Sequence, residues 1–126
     1  MYELKIVTHF AAAHHLTMVG EKCENLHGHN WKIEVYVTGK ELDEAGVLID
    51  FGIIKKRVAE IMSLLDHKYL NELDFFKSSQ PSSENIATVI ARELQKRIEN
   101  SAVSISRVAA WESENACATY IVSGQS

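Results

Sequence analysis

The sequence predicts an α+β fold, an antiparallel sheet of four strands with two helices on one face. Three observations lead there. Segments near both ends alternate apolar and polar residues, the period of a half-buried strand. Two central segments carry apolar residues at helical spacing. The resulting order is strand, strand, helix, helix, strand, strand, and strands adjacent in sequence usually pair.

Tyr2 to Phe10 sets Leu4, Ile6, Thr8 and Phe10 on one face and Glu3, Lys5, Val7 and His9 on the other, so it reads as the first strand. Residues 11 to 28 carry scattered polar and glycine residues and read as a long loop. Loops longer than about 12–15 residues in a compact domain usually carry function. His29 to Thr38 alternates again, with Trp31, Ile33, Val35 and Val37 on the His29 face. Asp50 is a plausible N-cap, and Phe51, Ile54, Val58, Ile61, Met62 and Leu65 follow at helical spacing over 51–65. Residues 66–81 show little pattern. Pro81 precedes Ser82-Ser83-Glu84-Asn85, good chemistry for a second helix start, and Ile86, Val89, Ile90, Leu94 and Ile98 continue it to about Asn100. Val103 to Glu112 and Ala116 to Val122 return to extended patterns, with Glu114-Asn115 as the turn. Four strands with open edges invite closure through other copies of the chain.

The 126 residues suit a single domain, 1–126, with one genuine core. A hydrophobic fraction of 46% and a charged fraction of 24% are ordinary for a globular protein. The net charge of −4 offers no basic field for nucleic acid, and no apolar run approaches a membrane span. Met1-Tyr2-Glu3-Leu4-Lys5-Ile6 lacks the basic-then-apolar layout of a signal peptide, and Cys23 and Cys117 suggest no disulfide framework. A cytoplasmic protein with free thiols is therefore expected. Cys117, inside a predicted strand, reads as a small core residue.

The chemistry concentrates in His27-Gly28-His29. Histidines at i and i+2 of an extended segment project from one face. A third imidazole alongside makes a set that leaves one tetrahedral position open, the ligand count of a catalytic zinc site. His14 is the first candidate for that third place, His15 its nearest competitor and His9 a weaker one; spacing alone does not separate His14 from His15. Cys23 lies in the loop beside Lys22, and positive charge nearby favours a thiolate. Asp66-His67 stands where the first helix ends. A carboxylate beside an imidazole fixes its tautomer for acid–base work, although a histidine there also complements the helix dipole. Glu112 closes an apolar strand, either idle in solvent or placed to receive two parallel N–H donors from a planar, guanidine-like ring. Ser82 and Ser83 cap the second helix and have hydroxyls to spare for a ligand.

Phe10-Ala11-Ala12-Ala13-His14-His15-Leu16, Cys23-Glu24-Asn25-Leu26-His27-Gly28-His29-Asn30-Trp31, Leu65-Asp66-His67-Lys68-Tyr69-Leu70-Asn71, Pro81-Ser82-Ser83-Glu84-Asn85 and Trp111-Glu112 occur in this order. Over nearly the whole chain this resembles the 6-pyruvoyltetrahydropterin synthase / 6-carboxytetrahydropterin synthase family, most of all its bacterial carboxytetrahydropterin branch. The resemblance implies a tunnelling fold whose subunits close into trimers, two of which stack as a homohexamer with sites at subunit interfaces. It implies that His14, rather than His15, joins His27 and His29 in holding Zn²⁺. By the same resemblance Cys23 is the general base, His67 a proton donor or relay oriented by Asp66, and Glu112 the anchor of the pterin's amino-pyrimidine edge, assisted by Ser82 and Ser83. Because the implied sites are shared between subunits, the resemblance leaves open whether Asp66 and His67 come from the same subunit as Cys23 or from a different one.

The implied substrate is 7,8-dihydroneopterin triphosphate. The implied enzyme is a zinc-dependent lyase making 6-carboxytetrahydropterin, acetaldehyde and triphosphate for queuosine synthesis. Its rivals are triphosphate elimination to 6-pyruvoyltetrahydropterin and a non-catalytic zinc- or pterin-binding oligomer. The short interval from Cys23 to His27 resembles the bacterial enzymes, and Cys23 itself argues against the side branch that carries glutamate there and makes a hydroxymethyl pterin. His15 stands where the family often has arginine, and Ser82 and Ser113 stand where threonines are usual.

Overall fold

A computed structural model describes residues 1–17 and 26–122. The strands are β1 (Tyr2–His14), β2 (His27–Gly39), β3 (Lys68–Tyr69), β4 (Val103–Ser113) and β5 (Ala116–Ile121), and the helices are α1 (Phe51–Leu65) and α2 (Ser83–Arg97). The sheet runs β3-β1-β2-β4-β5. The pairs β1–β2, β2–β4 and β4–β5 are antiparallel, whereas β3 lies parallel to β1.

The predicted four-stranded sheet is therefore a five-stranded mixed one. The added strand has two residues, Lys68 and Tyr69, opposite Ala12 and Ala13. The turn before it ties them there. Asp66 Oδ1 accepts from the Ala11 N–H at 2.8 Å, and the His67 N–H donates to the Ala11 carbonyl at 2.6 Å. His67 holds φ 57°, a left-handed backbone that is uncommon in non-glycine residues but enriched in Asn, Asp and His.

One face of the sheet makes the core. The register sets Leu4, Ile6, Thr8 and Phe10 of β1 against Val37, Val35, Ile33 and Trp31 of β2. Ile33, Val35 and Val37 stand in turn against Ala110, Val108 and Ile105 of β4. Both helices bury their apolar faces in the same cluster, α1 through Ile54, Val58, Ile61, Met62 and Leu65, and α2 through Ile86, Ala87, Ile90, Ala91 and Leu94. Asp50 caps α1 by accepting from the Gly52 N–H, and Ser82 caps α2 by accepting from the Asn85 N–H. Gly39 is required where β2 ends: a Cβ there would stand 2.5 Å from Leu48 Cδ1 and 2.8 Å from the Ala102 carbonyl oxygen.

The other face is polar and aromatic. Glu34 is buried on it, paired with Lys5 Nζ at 2.8 Å and accepting from Trp111 Nε1 at 2.6 Å. The Lys5 hydrogen bond does most to hold the Glu34 carboxyl below its usual range, and Glu34 in turn raises the Lys5 ammonium. Arg107 lies over the Tyr36 ring and pairs with Glu3.

Two expectations need correction. β1 does not stop at Phe10 but runs four residues further, pairing Ala11 to His14 with Asn30 to His27, so the predicted loop begins later. Cys117 is exposed rather than part of the core, because β5 is the sheet's edge strand and its first residues, Ala116 and Cys117, both face solvent. No helix among the described residues is long and apolar enough to cross a membrane.

Candidate metal centre

The extension of β1 builds the site. His14 stands directly opposite His27, and His29 stands opposite Ala12, two residues along the same face. The three imidazoles meet edge to face, with centroids 4.8 Å apart for His14–His27, 5.1 Å for His14–His29 and 4.5 Å for His27–His29. Trp31 floors the cluster, edge-on to His14 at 5.2 Å and to His29 at 5.3 Å.

His14 is 1% exposed, and its Nδ1 lies 2.7 Å from the Pro81 carbonyl oxygen. A carbonyl only accepts, so Nδ1 carries the proton and Nε2 presents a lone pair. That Nε2 is buried with no hydrogen-bond partner among the described residues. A buried lone pair left over in this way is what a metal ligand needs, and orientation through the other ring nitrogen is how ligating histidines are usually held.

Glu112 is the fourth member. Its Oε1 lies 3.1 Å from His29 Nε2, and one donor atom each from His14, His27, His29 and Glu112 fall within 4.8 Å of one another. Glu112 arrives there through a bulge: Trp111 pairs with Cys117 and Ser113 with Ala116, leaving Glu112 as the extra residue. Bulges of this kind re-aim a side chain. Ser83 Oγ donates to Glu112 Oε2 at 3.4 Å, which brings the first residue of α2 to the site. Three histidines and a carboxylate suit a divalent ion of borderline softness such as zinc.

The competing histidines lie elsewhere. His15 Nδ1 is bound by the Tyr69 hydroxyl at 2.6 Å with the two rings stacked, and its backbone N–H and carbonyl are both held by the Asn71 side chain. His9 lines a cavity with Lys32 and Trp111 and is not in the donor group. Asp66 and His67 pair with each other, His67 Nδ1 to Asp66 Oδ2 at 2.8 Å, but neither belongs to the donor group, and the His67 side chain is 82% exposed. The Asp66 carboxyl is held below its usual range, first by the Ala11 N–H and then by His67. Cys23 lies outside the described residues. Ser82 accepts at the helix cap and keeps its own hydroxyl proton to donate.

Sequence reasoning missed one participant, and it named Glu112 without its place beside the histidines. The Pro81 carbonyl, which sets the His14 tautomer, leaves no signal in residue type. The sequence offers Glu112 as a ring anchor, and its closeness to the histidines depends on a bulge that residue type does not reveal.

Comparison with known proteins bears on the site. The family model described as 6-pyruvoyl tetrahydropterin synthase matches residues 3–122. A putative 6-carboxy-5,6,7,8-tetrahydropterin synthase of Archaeoglobus fulgidus is 37% identical over 110 residues, 87% of each chain. A dihydroneopterin monophosphate aldolase of Pyrococcus furiosus is 35% identical over 103 residues, 82% of each chain. The solved structure of Caenorhabditis elegans 6-pyruvoyl tetrahydropterin synthase superposes with a TM-score of 0.86 at 26% identity, covering 97% of this chain and 96% of that one.

Proposed function

Because this chain belongs to the 6-pyruvoyl tetrahydropterin synthase family and stands close to its 6-carboxytetrahydropterin members, we propose that it is a zinc-dependent 6-carboxy-5,6,7,8-tetrahydropterin synthase. It would convert 7,8-dihydroneopterin triphosphate to 6-carboxytetrahydropterin, acetaldehyde and triphosphate in queuosine precursor synthesis. The observation that carries this reading is the donor group of His14, His27 and His29, with a buried, unpartnered Nε2 on His14, in a chain that is a tetrahydropterin synthase by family.

The three histidines would hold Zn²⁺, which when bound supplies Lewis-acid stabilisation of negative charge developing on substrate oxygens. Glu112 would take the amino-pyrimidine edge of the pterin, since a carboxylate receives two parallel N–H donors in one plane. Ser83, already within reach of Glu112, and Ser82, with a proton to donate, would steady that end. Cys23 would remove a side-chain proton as general base, and His67, oriented by Asp66, would deliver or relay one. The exposure of His67 and its absence from the donor group support its serving a neighbouring subunit's site. The family resemblance adds a homohexamer built as a dimer of trimers, working in the cytoplasm.

The similarity to a dihydroneopterin monophosphate aldolase favours a second reading, aldol cleavage of a dihydroneopterin phosphate at the same centre. One experiment separates the readings. Zinc-loaded protein is incubated in turn with dihydroneopterin triphosphate and monophosphate, and products are identified by mass spectrometry beside an acetaldehyde assay. Carboxytetrahydropterin with matching acetaldehyde is expected. Pyruvoyltetrahydropterin without acetaldehyde moves the assignment to triphosphate elimination, and a hydroxymethyl pterin moves it to the aldolase. Binding without turnover leaves a zinc- and pterin-binding oligomer.

A further inference from the structure

The donor group poses a chemical contradiction. A lyase needs one open coordination position, yet four donors are gathered, the number that closes a structural site. Two ligands at about 2.0–2.1 Å on a tetrahedral ion stand about 3.3 Å apart. Glu112 Oε1 and His29 Nε2 stand 3.1 Å apart, already near that edge length. That distance suits two ligands of one ion as well as a direct hydrogen bond, so the carboxylate is within reach of a shared metal.

The four donors are not held alike. His14 is buried and locked through Nδ1 by Pro81, and the three imidazoles brace one another and Trp31. Glu112 has a side chain 39% exposed, sits on a bulge, and is tethered through Oε2 by one long hydrogen bond from Ser83 at 3.4 Å. The residue also borders a cavity of about 610 Å³ on the opposite face of the sheet, lined by Asn30, Lys32 and Trp111. The carboxylate thus meets the histidine cluster through Oε1 while its side chain stays partly open to solvent.

We propose that Glu112 is an exchangeable fourth ligand: it closes the metal centre while no pterin ring is bound, and it leaves the metal for the pterin's amino-pyrimidine edge when substrate binds. This rests on the pterin reading above. Bidentate pairing with two parallel N–H donors engages both carboxylate oxygens, so the ring competes directly with the metal for Glu112. Ring binding then opens a coordination position at the moment the substrate side chain arrives.

The test uses the full chain loaded with Co²⁺, whose visible absorption reports coordination number. The probe is 2-amino-4-oxopteridine, which has no 6-side chain to reach the metal. The free protein should show the intense bands of a four-coordinate ion, and adding the probe should shift them, as water takes the place of the carboxylate oxygen, with the same midpoint as probe binding followed by its fluorescence. Glu112→Gln should already differ from wild type without the probe and should not respond to it. Its Co²⁺ affinity should fall at least about tenfold, the low end of what even an outer-shell partner contributes.

Identical spectra for wild type and Glu112→Gln would overturn the proposal, as would a wild-type spectrum unchanged at probe saturation or a probe that does not bind. The wild-type titration keeps the test decisive if the variant fails to fold. Product analysis is independent: carboxytetrahydropterin can form with or without the spectral change, and a failed product assay leaves the Glu112→Gln spectral difference readable.

Discussion

His14 is fitted for binding by the atom it would not use. Its Nδ1 is engaged by the Pro81 carbonyl, which leaves the lone pair on Nε2. His14→Ala should lower zinc affinity at least about 100-fold, beyond the loss of an outer-shell partner, as read by competition with a chelator. It should also cost about 1–3 kcal/mol of stability in the metal-free protein, because it strips the donor from a carbonyl on buried Pro81. The His-Gly-His spacing made the candidate metal site legible from residues alone. The choice between His14 and His15 was not, because it turns on where β1 ends. Ala11-Ala12-Ala13 offers no polar contrast for alternation to follow, so only the resemblance selected His14. The structure supports that selection through cross-strand pairing, and it gives His15 a different occupation against Tyr69.

Both helices were readable from their apolar spacing and capping residues, and α1 has the predicted bounds, 51–65. Their role is to cover one face of the sheet. Ile90, fully buried in the middle of α2, should cost about 2–5 kcal/mol when truncated to alanine, measured by urea unfolding. β3 was not readable, because two residues carry no periodicity and the strand exists through hydrogen bonds to β1. The same corner responds to pH. The folded Asp66 carboxyl titrates lower than in the unfolded chain, so its stabilisation is complete above the usual carboxylate range, about pH 4, and is lost as pH falls through the lower folded value. Glu34 follows the same sign. Urea midpoints should therefore fall on acidification below about pH 4, and less steeply in Asp66→Asn. A steeper fall in that variant would refute the assignment.

Across the whole molecule, both sides of the sheet end in unpaired backbone. Beyond Ala11 to Ala13, β1 has no outer partner strand among the described residues, and among them β5 has none on its far side. Long open edges are a liability that natural sheets pair or cover. Light scattering after gel filtration should find a hexamer, the state the proposed function requires, and a monomer at micromolar concentration would count against shared sites.

Trp31 carries a last consequence. Its indole touches two of the candidate ligands edge-on, so any ion held there sits beside a fluorophore. Loading an open-shell ion such as Cu²⁺ should quench the intrinsic emission in step with occupancy, and Trp31→Phe should remove most of that response while Trp111 goes on emitting from the opposite face. The centre thus comes with its own optical gauge, and the filling of each batch of protein can be followed without a chelator dye or an added label.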